Sequence, residues 1–311
     1  MGEAGSWAMT SAVRWIKPQS LQRGSQVRVV APAGPFDQAG FDAGLAVISA
    51  RYKPQFRDDI STVHRYLAGD DDRRSAELAE ALSDTRARAV FCARGGYGSA
   101  RLLQGLNLEA ATSTALVGFS DITSLHLASQ AVGRVTIHGP VLTQLGRQPE
   151  AVRDNLFRML ESAEPPPPIR GTETFVPGRV EGRLLGGNLS VFSRLLGTPF
   201  MPALTGAVLL LEDVGERPYR LDRMWTHLQL AGVFEQVRGI VLGDFTNCEE
   251  KGAPYSSEDV LRSLARETKL PCAWGFPVGH GEVNYAVPLG TQVRFDAGQA
   301  TLTFLEGAVE P

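Results

Sequence analysis

The chain has 311 residues, 43% of them hydrophobic and 21% charged, a composition of folded globular proteins and not of disordered or low-complexity ones. That length sets two domains as the starting expectation. Its 31 basic and 34 acidic residues are interspersed and leave a formal net charge of -3, so no electrostatic drive toward nucleic acid or an anionic membrane exists, and small-molecule chemistry becomes the better prior.

Near the N-terminus, Glu3, Arg14 and Lys17 surround only a few apolar residues, without the apolar stretch of a secretory signal, and the first dozen residues read as a tail. No run approaches the roughly 18 apolar residues of a membrane span. The expectation is a cytoplasmic protein. Cys92, Cys248 and Cys272 are odd in number and far apart, which argues against a disulfide framework or a paired zinc site and suits small apolar residues in a reducing compartment.

In chain order, short β-rich apolar runs at 27–31, 89–93, 115–118 and 135–137 precede glycine-containing turns and helical patterns, the alternation of a parallel α/β sheet. Between the first two, Asp70 to Asp72 can cap a helix carrying Leu78, Ala79 and Leu82. The prolines at 165–168 end a helix begun around 152–160 and prefer a stiff extended conformation. The chain is therefore divided into an N-terminal domain over 1–164, a linker over 165–170 and a C-terminal domain over 171–311. Beyond the linker, strands are expected at 207–211, 240–242, 293–295 and 301–304, with only two clear helices, at 188–196 and 221–230. There is no internal repeat.

The sharpest local feature is Gly118-Phe119-Ser120-Asp121, directly after the run at 115–117 and before a helical pattern carrying Ile122, Leu125 and Ala128. A serine on such a strand-to-helix bend has helix N-terminal N–H groups close to its hydroxyl, ready for a developing oxyanion. The same residues also read as an ordinary helix N-cap, and Ile122 stands where the G-x-S-x-G elbow has its second glycine. Upstream, Arg94-Gly95-Gly96-Tyr97-Gly98 follows a strand, and its glycines let backbone amides approach a ligand; a phosphate-binding loop would need a Lys and Ser/Thr that are absent here.

A nucleophilic serine needs a base, and the base needs an orienting group. Of His64, His126, His138, His227 and His280, the last sits between glycines in Pro277-Val278-Gly279-His280-Gly281, where the backbone is free to aim a side chain. His126 and His227 lie in helical patterns and suit packing or the surface, and His138 can line a pocket as a neutral group. Glu212 and Asp213 end the apolar run at 207–211, a strand-end position that suits a catalytic carboxylate. They can equally pair with Arg217, Arg220 or Arg223 in a structural ion-pair cluster. No histidine or cysteine spacing forms a metal site, so no metal or other cofactor is expected.

Together, "VRVVAPAGP" at 27–35, "ARGGYGSARLL" at 93–103, "GFSDIT" at 118–123, "GRLLGGNLS" at 182–190, "LLLEDVGERPYRLDRM" at 209–224 and "GFPVGHGEVNYAVPLG" at 275–290 resemble, in order and joint presence, the LD-carboxypeptidase family of serine peptidases. The resemblance implies Ser120 as nucleophile, Glu212 as relay acid and His280 as base. It also implies oxyanion donors from Gly95, Gly96 and Asp121, a Rossmann-like N-terminal domain, a smaller β-rich C-terminal domain, and a homodimer with the site at the domain junction. The implied reaction cleaves the bond between meso-diaminopimelate and the terminal D-alanine of peptidoglycan tetrapeptides, in cell-wall recycling. The substrate carboxylate calls for a cation, with Arg94 and Arg183 as candidates. Two rivals stand beside this reading. One keeps fold and triad but acts on a peptidyl or aminoacyl nucleotide, as in relatives that resemble microcin immunity proteins and stack a purine on additional aromatic residues. The other is a small-ligand-binding protein without catalysis.

Overall fold

The computed structural model describes residues 15–311; the first dozen residues, expected as a tail, lie outside the described residues. The elements in the first half are β1 (Gln26–Val30), α1 (Gln38–Ser49), β2 (Lys53–Gln55), α2 (Asp71–Ser83), β3 (Ala87–Cys92), β4 (Ala115–Gly118), α3 (Thr123–Ala131), β5 (Thr136–His138), α4 (Leu142–Leu145) and α5 (Glu150–Glu161). After the prolines follow β6 (Ile169–Arg170), β7 (Glu173–Val176), β8 (Arg179–Asn188), α6 (Leu189–Leu195), β9 (Val208–Val214), α7 (Pro218–Leu230), β10 (Gly239–Thr246), α8 (Ser257–Thr268), β11 (Cys272–Trp274), β12 (Val287–Leu289), β13 (Gln292–Asp296) and β14 (Thr301–Phe304).

The first sheet has the order β12-β5-β4-β3-β1-β2, parallel throughout except for β12, which runs antiparallel to β5. Parallel strands buried on both faces read as continuous apolar runs, and this explains why β3 and β4 were visible in the sequence. One face packs Val90, Cys92 and Leu116 against Leu78 of α2 and Leu125 of α3. The other packs Val29, Phe91 and Val117 against Phe41 of α1, Leu142 of α4 and Leu156 of α5. Each of the Val, Leu and Phe side chains among these contributes about 1.5–3 kcal/mol on leaving water. Asp70 caps α2 by accepting the Arg73 N–H at 2.8 Å, as its position before the helical pattern implied.

The second sheet runs β6-β14-β13-β8-β9-β10-β11-β7, with β8 to β11 parallel and the flanking pairs antiparallel. Its two ends, β6 and β7, are consecutive in the chain and joined by Gly171 and Thr172, so the sheet must curl until its edges meet. The Gly171 N–H donates to Ala300 and the Thr172 N–H to Trp274, one bond to each side of the join. Val208, Leu210, Val241, Val293 and Phe295 fill the inside of the curl. Leu209 and Leu211 face outward into the cluster that also holds Leu116, Leu125 and Trp225, so the two sheets share one core.

The chain crosses between the sheets at the proline run and crosses back once, when β12 pairs with β5 through Val287 and His138. The second half carries a third helix beyond the two expected. In α8, Ser256 and Asp259 form a reciprocal capping box that the sequence reading passed over.

Candidate active site

Period-two alternation along β9 separates two adjacent carboxylates. Glu212 shares the inward parity of Val208 and Leu210, whereas Asp213 faces outward with Leu209 and Leu211. Asp213 accepts the Ser190 N–H at 2.9 Å, the Val214 N–H at 2.8 Å and the Asn188 amide at 3.1 Å, tying β9 to the start of α6. Burial, reinforced by the charge of Glu212, pushes its carboxyl up to about 7. Neither carboxylate pairs with Arg217, Arg220 or Arg223: Arg217 meets Glu250, Arg220 meets Glu216, and Arg223 lies over the Tyr219 ring. The ion-pair alternative is therefore not what the fold builds.

Glu212 is fully buried, and its Oε2 lies 2.6 Å from Nδ1 of His280, whose side chain is 15% exposed. Nδ1 being engaged leaves Nε2 as the ring nitrogen for chemistry. Burial pushes the imidazole down, but the hydrogen bond and charge of Glu212, with the charges of Asp213 and Asp244, outweigh it and raise it above the ordinary histidine value. Asp244, on β10, also accepts the Gly281 N–H at 3.2 Å, fixing the loop just past His280. Before His280, the Gly279 N–H donates to Asn284 Oδ1 at 3.0 Å, and the Asn284 N–H donates to Gln148. Gly279 has φ 123°, and a Cβ there would stand 2.6 Å from Glu212 Oε2. Replacing Gly279 by alanine is expected to lower kcat/KM by about 10²-fold if the Glu212–His280 contact is catalytic, since the strain and the clash must displace one of its partners by a fraction of an ångström or more. Steady-state kinetics beside a urea melt check this, and near-normal turnover would show that the approach is not required.

Ser120 ends the Gly118-Phe119 segment at φ 63° and opens a 3₁₀ turn, Ser120–Ile122, that leads into α3. A non-glycine residue in the left-handed region is held there only by its surroundings. The holding contacts run through Ser99: its hydroxyl meets the Asp121 carbonyl at 2.6 Å, the Asp121 carboxylate at 2.7 Å and the Ser124 hydroxyl at 2.6 Å. Phe119, not Ser120, occupies the cap position of this turn, and Ile122 that of α3, which answers the N-cap alternative. With the Asp121 side chain turned to Ser99, its backbone N–H stays at the start of the turn, where no helical partner exists. A Cβ on Gly95 would lie 2.8 Å from Ser120 Cβ, 3.0 Å from its Oγ and 3.4 Å from the Asp121 nitrogen, so only glycine permits this approach. Gly34 in turn donates to the Gly95 carbonyl at 3.0 Å, which gives the opening segment 27–35 a role at the site.

Ser120 and His280 line one cleft of about 650 Å³ together with Arg94, Gly95, Gly96 and Phe119. The Phe119 ring lies 4.7 Å from that of His280. Thr123 Oγ1 accepts the Asn188 N–H at 3.0 Å, and Asn188 stands beside Glu212 in the β8–β9 register, so the turn after Ser120 is bonded directly to the strand ends that carry the carboxylate. His126 and His138 pack beneath the site. His126 Nε2 meets the Gly118 carbonyl at 2.8 Å, and burial lowers it to about 4. Burial, then the charges of His126 and His280, hold His138 well below the ordinary range, a neutral group as its strand-end position suggested. All three cysteines are buried and unpaired.

Arg183 is not brought to this cleft. Its guanidinium bonds the Gly290 carbonyl and Glu306, and it lies 4.7 Å from the Trp15 ring in a different cavity. The reason is strand length: it stands five residues before the end of β8, about 17 Å from the level of Asn188. Sequence reasoning missed Asp37, Thr143, Gln144 and Arg147, which line the cleft from the start of α1 and from α4 and its C-terminal turn. The short "LTQLGR" stretch after the strand at 135–137 is the signal that could have pointed to Thr143, Gln144 and Arg147.

The profile of the LD-carboxypeptidase N-terminal domain matches residues 27–139, and that of the LD-carboxypeptidase C-terminal domain matches residues 181–295. This chain belongs to the LD-carboxypeptidase family. As a member it is a serine peptidase. The "Probable murein peptide carboxypeptidase" of Bacillus subtilis is 35% identical over 94% of this chain and 96% of its own. The muramoyltetrapeptide carboxypeptidase of Oxalobacter formigenes, at 25% identity, matches the fold with a TM-score of 0.83 over 92% of this chain and 100% of that one. MccF in complex with glutamyl sulfamoyl guanosine matches at a TM-score of 0.86 over 95% of this chain and 100% of that one, with 20% identity, and so shares the fold.

Proposed function

We propose that this LD-carboxypeptidase family member hydrolyses the bond between meso-diaminopimelate and the terminal D-alanine of peptidoglycan tetrapeptides, with Ser120 as nucleophile, His280 as base and Glu212 as its orienting acid. The observation that carries the reading is the buried 2.6 Å contact between Glu212 and His280 in the cleft that also presents Ser120 on a strained turn. His280 Nε2 takes the Ser120 proton as Oγ bonds to the scissile carbonyl carbon. The oxygen then bears negative charge, for which the N–H groups of Gly95, Gly96 and Asp121 are the candidate donors. His280 returns the proton to the nitrogen as the C–N bond breaks and D-alanine leaves. Water, deprotonated by the same imidazole, attacks the acyl-enzyme and releases the tripeptide with Ser120 restored. Glu212 stabilises the imidazolium throughout.

A product tripeptide of this kind belongs to cell-wall recycling, and the proposal sets the reaction in the cytoplasm on a homodimer, as the family resemblance implies. The rival substrate, an aminoacyl or peptidyl nucleotide, draws on the fold shared with MccF. Against it, the one Phe, Tyr or Trp ring lining the cleft among the described residues is Phe119, which already packs on His280 and offers no platform for a purine. Incubation with the free tetrapeptide L-Ala-D-Glu-meso-diaminopimelate-D-Ala and, separately, with glutamyl sulfamoyl guanosine decides between them, read by mass spectrometry. D-alanine release without cleavage of the nucleotide is the expected result. Cleavage of the nucleotide alone would overturn the substrate and keep the hydrolase.

A further inference from the structure

The charged side chains lining the cleft, apart from His280, are Asp37, Arg94 and Arg147. Among the described residues none of the three forms an ion pair with another side chain. Arg94 donates to the Pro35 carbonyl, and Asp37 Oδ1 accepts the Gly40 N–H at 2.7 Å at the head of α1, so both are tethered by backbone while their charges stay uncompensated. The cleft therefore presents two guanidiniums and one carboxylate. The D-alanine end of a diaminopimelate tetrapeptide carries the complement: the C-terminal carboxylate, and a carboxylate and an ammonium together on the distal carbon of the diaminopimelate side chain.

Position assigns the pairs. Arg94 precedes Gly95, which touches Ser120, and lines the same cleft, so it is assigned to the carboxylate of the leaving residue, which lies next to the scissile carbonyl. Asp37 and the α4 wall stand together. The Cβ position of Gly40 is 2.9 Å from Asp37 Oδ2 and 3.2 Å from the Thr143 carbonyl, so two acceptors converge there. Arg147 follows Thr143 and Gln144 on the same wall, and Gln144 Oε1 is buried without a partner. The wall is stiff, because α1 and α4 pack so closely that a Cβ on Gly44 would strike the Leu142 carbonyl.

Building on the proposed reaction, we infer that the cleft selects substrate by the distal zwitterion of its third residue, Arg147 binding the distal carboxylate and Asp37 the distal ammonium, with Arg94 on the C-terminal carboxylate. Charge-assisted and bidentate pairs of this kind discriminate because a substrate lacking one group leaves its partner unpaired.

Three tetrapeptides test it in D-alanine release: one with meso-diaminopimelate, one with its distal carboxylate amidated, and one with L-lysine at that position. The wild type is expected to prefer the first by about tenfold or more in kcat/KM, the order of one lost charge-assisted pair. Arg147→Gln is expected to lose about tenfold on the first peptide, mainly through KM, with the loss confined to peptides that carry the distal carboxylate. Asp37→Asn, which retains a good helix cap, is expected to weaken both the diaminopimelate and the lysine peptides, since both carry the ammonium. Equal wild-type rates on all three peptides, or an Arg147→Gln loss common to all three, would overturn this selectivity and leave the proposed reaction standing. No D-alanine from any peptide would overturn the reaction itself and the selectivity with it.

Discussion

Ser120→Ala is expected to reduce D-alanine release by about 10⁶-fold in kcat, the scale on which a serine hydrolase loses its nucleophile, leaving only the residual rate that substrate binding and oxyanion donors support. The substitution removes a hydroxyl and little else. Ser120 is not at the cap position, and the turn is held by Ser99 through Asp121 and Ser124, so the bend keeps its shape without the serine oxygen. A fluorophosphonate probe should label the wild type at Ser120 and the variant not at all, with unchanged near-ultraviolet circular dichroism for both. Turnover that survives in Ser120→Ala would remove the nucleophile assignment and the acyl-enzyme route with it.

Glu212→Gln is expected to cost about 10⁴-fold in kcat/KM at neutral pH, the effect of losing the group that orients a catalytic imidazole and stabilises its charged form. It should also move the pH profile, and the sign follows from the site. As the proposed base, His280 works as neutral imidazole, so activity is expected to rise with pH through its titration. In the wild type, burial lowers that titration, but Glu212, then Asp213 and Asp244, raise it above the ordinary value. The wild-type acidic limb is therefore expected above about pH 6.5, the unperturbed value. With glutamine in place the leading favourable charge is gone and burial weighs more heavily, so the limb shifts to lower pH while the plateau falls. A profile of kcat/KM across pH 5 to 9 for both proteins makes the comparison. A limb that stays in place would mean that Glu212 does not act on His280 in the working enzyme.

Much of the fold was legible because it is written in local patterns. The run at 115–118 is β4, residue for residue, since an uninterrupted apolar stretch marks a strand covered on both faces, and the run at 301–304 is β14, where Leu302 and Phe304 are buried and alternate with Thr301 and Thr303 as in a strand covered on one face. Asp70 announced α2 in the same way, by cap chemistry that acts over three residues. The short strands β2, β6, β7, β11 and β12 escaped, and so did β8, ten residues long, because Gly182, Gly186 and Gly187 break its apolar signature. Those glycines serve close packing: a Cβ on Gly187 would stand 2.6 Å from Thr123 Oγ1, where β8 meets the turn after Ser120. Helix α8 escaped because its periodicity is spread over a strongly charged segment, "SEDVLRSLARET".

Local motifs were enough to identify the family, the strand-turn-helix that carries Ser120, and the short menu of histidines and carboxylates able to assist it. Three-dimensional arrangement selects among them. His280 and Glu212 are 68 residues apart, and nothing in either local segment says that they touch. Glu212 and Asp213 are neighbours of identical chemistry, yet the parity of β9 sends one to the imidazole and the other to α6. Arg183 was a candidate partner for the substrate carboxylate and Arg147 was not, yet position along β8 and after α4 puts the first in another cavity and the second in the cleft. The division has one physical cause. Strand, turn and cap signals arise from interactions over a few residues and are encoded where they act, whereas the meeting of side chains from distant segments is set by strand order, register and curl, which the whole chain determines together.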